Sequence, residues 1–175
     1  CKRPGSHPPR CLASLREVVG RGAKVLAINT LKEKGLRRFA DPQKKLEMMR
    51  GGSKLTSTDY LCPRLGGDMA VFRGMSKIVL EAEDRAQAAG EPAVLDHDFI
   101  KEHTHGFDAW CDLVRATSWE QIEDQSGLTK KEITRAAQMY IEADKVIVAG
   151  AMGLTQHVQS VQTNREEATF QYLQG

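Results

Sequence analysis

Lys145-Val146-Ile147-Val148-Ala149-Gly150-Ala151-Met152-Gly153-Leu154-Thr155-Gln156-His157 decides how this chain is read. A branched apolar run gives way to small residues and then to polar side chains. That is the pattern of a buried parallel strand delivering a loop to a ligand at its carboxyl end. Ala23-Lys24-Val25-Leu26-Ala27-Ile28-Asn29 has the same form. Two such strands, at Lys24–Ile28 and Val146–Ala149, with helical sequence between them, predict an α/β lobe of the nucleotide-binding kind.

The sequence around these strands fills in the helices. Leu12, Leu15, Val18 and Val19 recur at helical spacing, so a helix is expected over Arg10–Val19, stopped by Gly20 and Gly22. Tyr60–Leu65 reads as a short strand, and Pro63 places it at an edge or at its end. After Gly66-Gly67-Asp68, the spacing of Met69, Phe72, Met75, Ser76, Val79 and Leu80 predicts a long helix with one buried face. Asp68 suits its N-cap, where a carboxylate accepts backbone N–H bonds at the positive end of the helix dipole. Ala86–Pro92 reads as a break. Further helices are expected over Asp96–Glu102, Phe107–Ala116, Trp119–Gln125 and Thr129–Ala143, the last opened by the capping box Thr129-Lys130-Lys131-Glu132. A final amphipathic helix starts near Val158, with Val158, Val161, Phe170 and Leu173 on its apolar face. The stretch from Thr30 to Thr58 reads as a surface excursion with a helical turn over Pro42–Met49.

Composition narrows the function. A chain of 175 residues with 41% apolar and 27% charged residues is expected to be a globular domain with a real core. Its formal net charge of +2 gives no general polyanion-binding surface, so nucleic acid is not an expected partner. No apolar run approaches the roughly 20 residues of a membrane span. The start at Cys1 without a Met suggests an internal piece or a processed chain. Cys1, Cys11, Cys62 and Cys111 lie far apart with no Cys-x-x-Cys pair, which argues for free thiols over a cluster, a structural zinc or a disulfide framework.

Self-contained catalysis finds little support. His97, His103 and His105 lie among acidic residues, but the His-x-x-x-His spacing that suits zinc on a helix is missing. Gly-x-Ser-x-Gly, the Walker-type phosphate loop and Gly-x-Gly-x-x-Gly after a strand are missing too. No residue of this chain is therefore assigned a catalytic or metal-ligating role.

The residues that remain carry a family likeness. Gly22–Asn29, then Arg64-Leu65-Gly66-Gly67-Asp68, then Phe99-Ile100 with His103-Thr104 and Gly106-Phe107, then Met152-Gly153-Leu154-Thr155-Gln156-His157 fall in an order that resembles the molybdopterin oxidoreductases. The likeness is to their formate-dehydrogenase-like branch and extends over nearly the whole chain. It implies that residues 1–175 form part of a Rossmann-like lobe, with parallel strands, flanking helices and a helix-rich middle, in a longer enzyme. The implied cofactor is a bis-molybdopterin guanine dinucleotide with molybdenum.

The same likeness assigns cofactor-facing roles to Met152, Gly153, Gln156, Asn29, Gly66, Gly67 and Asp68. Met152 also has a plain reading as a core plug, and Gln156 and Asp68 as caps of backbone groups. Implied partners are the remaining domains of the same enzyme and a redox partner, in the cytoplasm. The chain departs from the family pattern at Thr30, where a proline is usual, and at Glu166-Glu167, in a helix that is usually more apolar. These departures keep a second reading open, a non-catalytic α/β nucleotide-binding or interaction module.

Overall fold

A computed structural model describes residues 9–32, 38–39, 54–55, 57–150 and 152–175. The turn expected over Pro42–Met49 lies outside the described residues. The chain divides into two compact units, Cys1–Cys62 and Pro63–Gly175. The first holds α1 (Pro9–Gly20) and the short strands β1 (Leu26–Ile28), β2 (Arg38–Phe39), β3 (Lys54–Leu55) and β4 (Asp59–Leu61). The second is helical: α2 (Asp68–Ala89), α3 (His97–His103), α4 (Phe107–Ala116), α5 (Trp119–Ser126), α6 (Lys130–Ile141), α7 (Met152–Thr155) and α8 (Ser160–Gln171), closed by a 3-10 turn over Tyr172–Gln174.

In the first unit β1 and β4 pair in parallel, with Leu26 opposite Asp59, Ala27 opposite Tyr60 and Ile28 opposite Leu61. Thr58 extends the pairing. Its Oγ1 accepts from the Val25 N–H at 2.8 Å and donates to the Val25 carbonyl at 3.0 Å. Arg38–Phe39 and Lys54–Leu55 form a separate antiparallel pair.

The first expected strand is thus present, trimmed at its start. The second is not. Val146–Ala149 has no ladder partner among the described residues, and Ile147 is 94% exposed. The apolar pattern records a side-chain set suited to burial, whereas a strand exists only when a neighbour takes up its N–H and C=O groups. The described chain is therefore mostly helical, with a two-stranded parallel sheet.

In the second unit α2 is the central element, with α4, α5, α6 and α8 packed against it. Val71, Phe72, Met75, Ile78, Val79 and Leu80 are all buried along it. Gly74 sits where α5 and α6 cross: a Cβ there would meet Ile122 Cγ2 at 3.0 Å and Ile133 Cγ2 at 3.0 Å. Tyr140 of α6 donates to the Phe170 carbonyl of α8 at 2.8 Å, and their rings lie 4.1 Å apart between centroids. Burial pushes the Tyr140 phenol up to about 12.

Several helix limits differ from expectation for physical reasons. Residues Ala86–Ala89 continue α2, because alanine favours helix, and the stop comes at Gly90, whose φ of 69° suits glycine. Asp96 caps α3, accepting from the Phe99 N–H at 2.9 Å. The expected capping box at Thr129 and Glu132 is formed, and a second joins Ser118 and Gln121. Phe170 of α8 and Leu173 of the 3-10 turn are buried, but Val158, ahead of α8, and Val161 are exposed and do not share their face.

Candidate functional site

The Gly66-Gly67-Asp68 turn has its own structural logic. Gly66 has φ +81°, a conformation L side chains rarely adopt. At Gly67 a Cβ would lie 2.8 Å from the Gln125 carbonyl oxygen and 3.1 Å from that of Arg64, so the α5 C-terminus leaves no room for a side chain. The turn is pinned by Arg64 N–H to Ser126 O at 2.7 Å and Gly67 N–H to Arg64 O at 2.9 Å. Gly67, and not Asp68, is the N-cap of α2. Asp68 is the first helical residue, and burial raises its carboxyl pKa despite a backbone hydrogen bond and the nearby His157.

Asp68 belongs to a cluster that sequence reading did not assemble. Burial, and then the charge of Asp68, raise the pKa of Glu167 on α8, which is 8% exposed. Its neighbour Glu166 is 6% exposed and makes a two-pronged pair with Arg73 of α2, at 2.9 Å to Nε and 2.8 Å to Nη2. This pairing raises the Arg73 pKa, with burial opposing it. The only signal in the sequence was that two glutamates stood in an amphipathic helix that is usually more apolar in the family the chain resembles.

Gly150 faces the same place. A Cβ there would sit 3.1 Å from Leu154 Cδ1 and 3.7 and 3.8 Å from the two carboxylate oxygens of Glu167. The loop from Gly150 to His157 thus approaches α8 through a residue without a side chain. Met152 opens α7, Gly153 and Gln156 are exposed, and His157 is half-buried. Asp68, Gly150, His157 and Glu167 are therefore neighbours within one unit. Asn29 belongs to the other unit, where its N–H donates to Leu61 O at 3.1 Å and its Nδ2 to Leu31 O at 3.0 Å.

His97 and His103, outside this cluster, have local tasks. His97 Nε2 lies 2.7 Å from Glu83 Oε1, and His103 packs on Phe99 with ring centroids 4.8 Å apart. Glu83, 3% exposed, also accepts from the Val94 N–H at 2.7 Å, the Leu95 N–H at 3.0 Å and Gln87 Nε2 at 2.8 Å. Burial would raise its pKa, but those donors outweigh burial and hold it at about 2. Among the described residues no group of three or more His, Cys, Asp or Glu side chains is arranged to hold a metal ion, and Cys62 and Cys111 are free.

Comparison with known proteins places the chain. Protein YdeP of Escherichia coli strain K12 is 41% identical over 172 residues, covering 98% of this chain. The uncharacterized oxidoreductase Mb2924c of Mycobacterium bovis is 34% identical over 174 residues, covering 99%. Formate dehydrogenase H of Escherichia coli strain K12 is 26% identical over 191 residues, covering 97%. These likenesses support the molybdopterin oxidoreductase family for this chain. It spans less than a quarter of the length of the first two relatives, 23% and 22%, and 25% of the third. No family model matches. Acetylene hydratase from Pelobacter acetylenicus shares the fold over 93% of this chain and 19% of its own, with a TM-score of 0.71 at 18% identity. Among the described residues no helix is long and apolar enough to cross a membrane.

Proposed function

We propose that this segment helps to hold the guanine dinucleotide of a bis-molybdopterin cofactor in a formate-dehydrogenase-like oxidoreductase, as part of a Rossmann-like lobe. The observation that carries this reading is the meeting of the Gly150–His157 loop with Asp68 and Glu167. A buried carboxylate, Glu167, and a half-buried one, Asp68, beside a close-approaching glycine suit a ligand rich in N–H donors. When bound, the cofactor supplies the redox chemistry at its metal. The residues here bind and orient it. Gly153 leaves the backbone open to approach, the exposed Gln156 amide offers a donor and an acceptor, and Met152 supplies an adaptable apolar contact. Asn29, Gly66, Gly67 and Asp68 are further cofactor-facing candidates, the two glycines by backbone contact.

The remaining domains of the same enzyme are the proposed partners. Ile147 at 94%, Val158 at 104% and Val161 at 61% exposure form apolar surface that suits a covering neighbour. A redox partner and a cytoplasmic setting complete the reading. The test is Gln156→Ala in the enzyme that contains this segment. Cofactor content should fall severalfold, since one hydrogen bond is worth roughly 0.5–1.5 kcal/mol, with the melting temperature unchanged. Unchanged content with lost stability would assign Gln156 to backbone capping instead.

A further inference from the structure

A cavity of about 240 Å³ lies within the second unit, between α2 and α4. It shares no residue with the Asp68–Glu167 cluster. Leu80, Leu95, Phe107 and Cys111 give it apolar walls. Cys111 is 5% exposed and free, and among the described residues its thiol has no hydrogen-bond partner. The lining also carries four carboxylates, which differ in their partners. Glu83 is held by His97 and by backbone donors, and Asp84 pairs with Arg115 at 2.8 Å. Asp108 and Asp112, exposed and one turn apart on α4, have no cation among the described residues. Like charges at that spacing repel. Burial raises the Cys111 pKa, Arg115 opposes it, and Asp108, Asp112 and Asp84 add to it. The charge at the rim therefore reaches the buried thiol.

We propose that this cavity binds a small primary alkylammonium ion, with its head between Asp108 and Asp112 and its hydrocarbon tail against Leu80, Leu95, Phe107 and the Cys111 thiol. An ammonium group carries three N–H donors and no acceptor, so it bridges two carboxylates that otherwise repel. The apolar walls select an organic cation over a metal ion, since among the described residues no group of three or more His, Cys, Asp or Glu is arranged to hold one. A solvated acidic face would draw any cation by charge alone. A cavity with apolar walls also reads the tail, because each methylene it takes out of water adds to affinity. The proposal stands apart from the cofactor-holding reading, and neither depends on the other.

The test measures binding of n-butylamine, methylamine and n-butanol at neutral pH, where both amines are cationic, by calorimetry on the enzyme that contains this segment. Asp108→Asn, Asp112→Asn and the doubly substituted protein are measured alongside, with thermal melting to show that the fold stands; both positions are exposed. The native protein should bind n-butylamine saturably. Methylamine should bind at least about tenfold more weakly, since each buried methylene is worth about fourfold. The neutral alcohol should also bind at least about tenfold more weakly. Each single substitution should lower n-butylamine affinity about two- to fivefold, the range for an exposed ion pair, and the double substitution more than either. Equal affinity for methylamine and n-butylamine would reveal a solvated acidic face and overturn the inference. Unchanged affinity in the doubly substituted protein, or no binding of n-butylamine to the native one, would overturn it as well.

Discussion

At the scale of single residues, buried carboxylates divide into those the fold satisfies and those it leaves open. Glu83 is satisfied: it ties residues 94, 95 and 97 back onto α2. A folded pKa of about 2 against an ordinary 4.5 means the unfolded chain binds the proton first as pH falls. The contribution of Glu83 is therefore complete above pH 4.5 and is lost between 4.5 and about 2. It amounts to about 3 kcal/mol. Glu83→Gln should lower stability at neutral pH and flatten its dependence on pH over that window, read by denaturant melts at several pH values. A Gln variant with an unchanged acid limb would contradict this role. The Arg73–Glu166 pair is the second satisfied case. Glu166→Ala strands a guanidinium that is 18% exposed, so a loss of about 2–4 kcal/mol is expected, and a neutral result in a urea melt would refute it. The sequence showed the two glutamates as a departure from the family pattern on an amphipathic helix, but which one finds a cation depends on α2 lying alongside. Spacing along α8 holds no such information.

At the scale of elements, α2 shows where sequence reading is strong. Met69, Phe72, Met75, Ser76, Val79 and Leu80 were legible as one face, because helical periodicity is local; the last five are buried and Met69 is half-buried. Gly74 was not legible, since its reason lies on two other helices. Alanine at position 74 gains about 1 kcal/mol in helix propensity but drives a methyl group into Ile122 and Ile133, where overpacking costs about 1–3 kcal/mol. Both isoleucines are fully buried and have little room to give, so the steric side wins. Gly74→Ala should cost up to about 2 kcal/mol, and a melting temperature above the native one would show that α5 and α6 yield. Val146–Ala149 is the opposite lesson. Its composition matches a buried strand, yet strand formation depends on a partner backbone that composition does not specify. The Gly66-Gly67 turn is intermediate: the glycines were visible, while the crowding by Gln125 was visible only in the fold.

At the scale of the molecule, the candidate residues are shared between two compact units, Asn29 in one and the Asp68–Glu167 cluster with the Gly150–His157 loop in the other. The family was legible from the order of short motifs, and relatives at 41% and 34% identity bear it out. The cluster was not legible, because residues 68, 150 and 167 meet only through the packing of α8 on α2. The cluster in the second unit is proposed to help hold a guanine dinucleotide. The most direct test of this is the guanine nucleotide released by acid from the purified enzyme that contains this segment, native and Gln156→Ala, quantified by mass spectrometry. The account predicts GMP released from the native enzyme and severalfold less from the variant at equal thermal stability, whereas a native enzyme that carries its metal and releases no guanine nucleotide would contradict it.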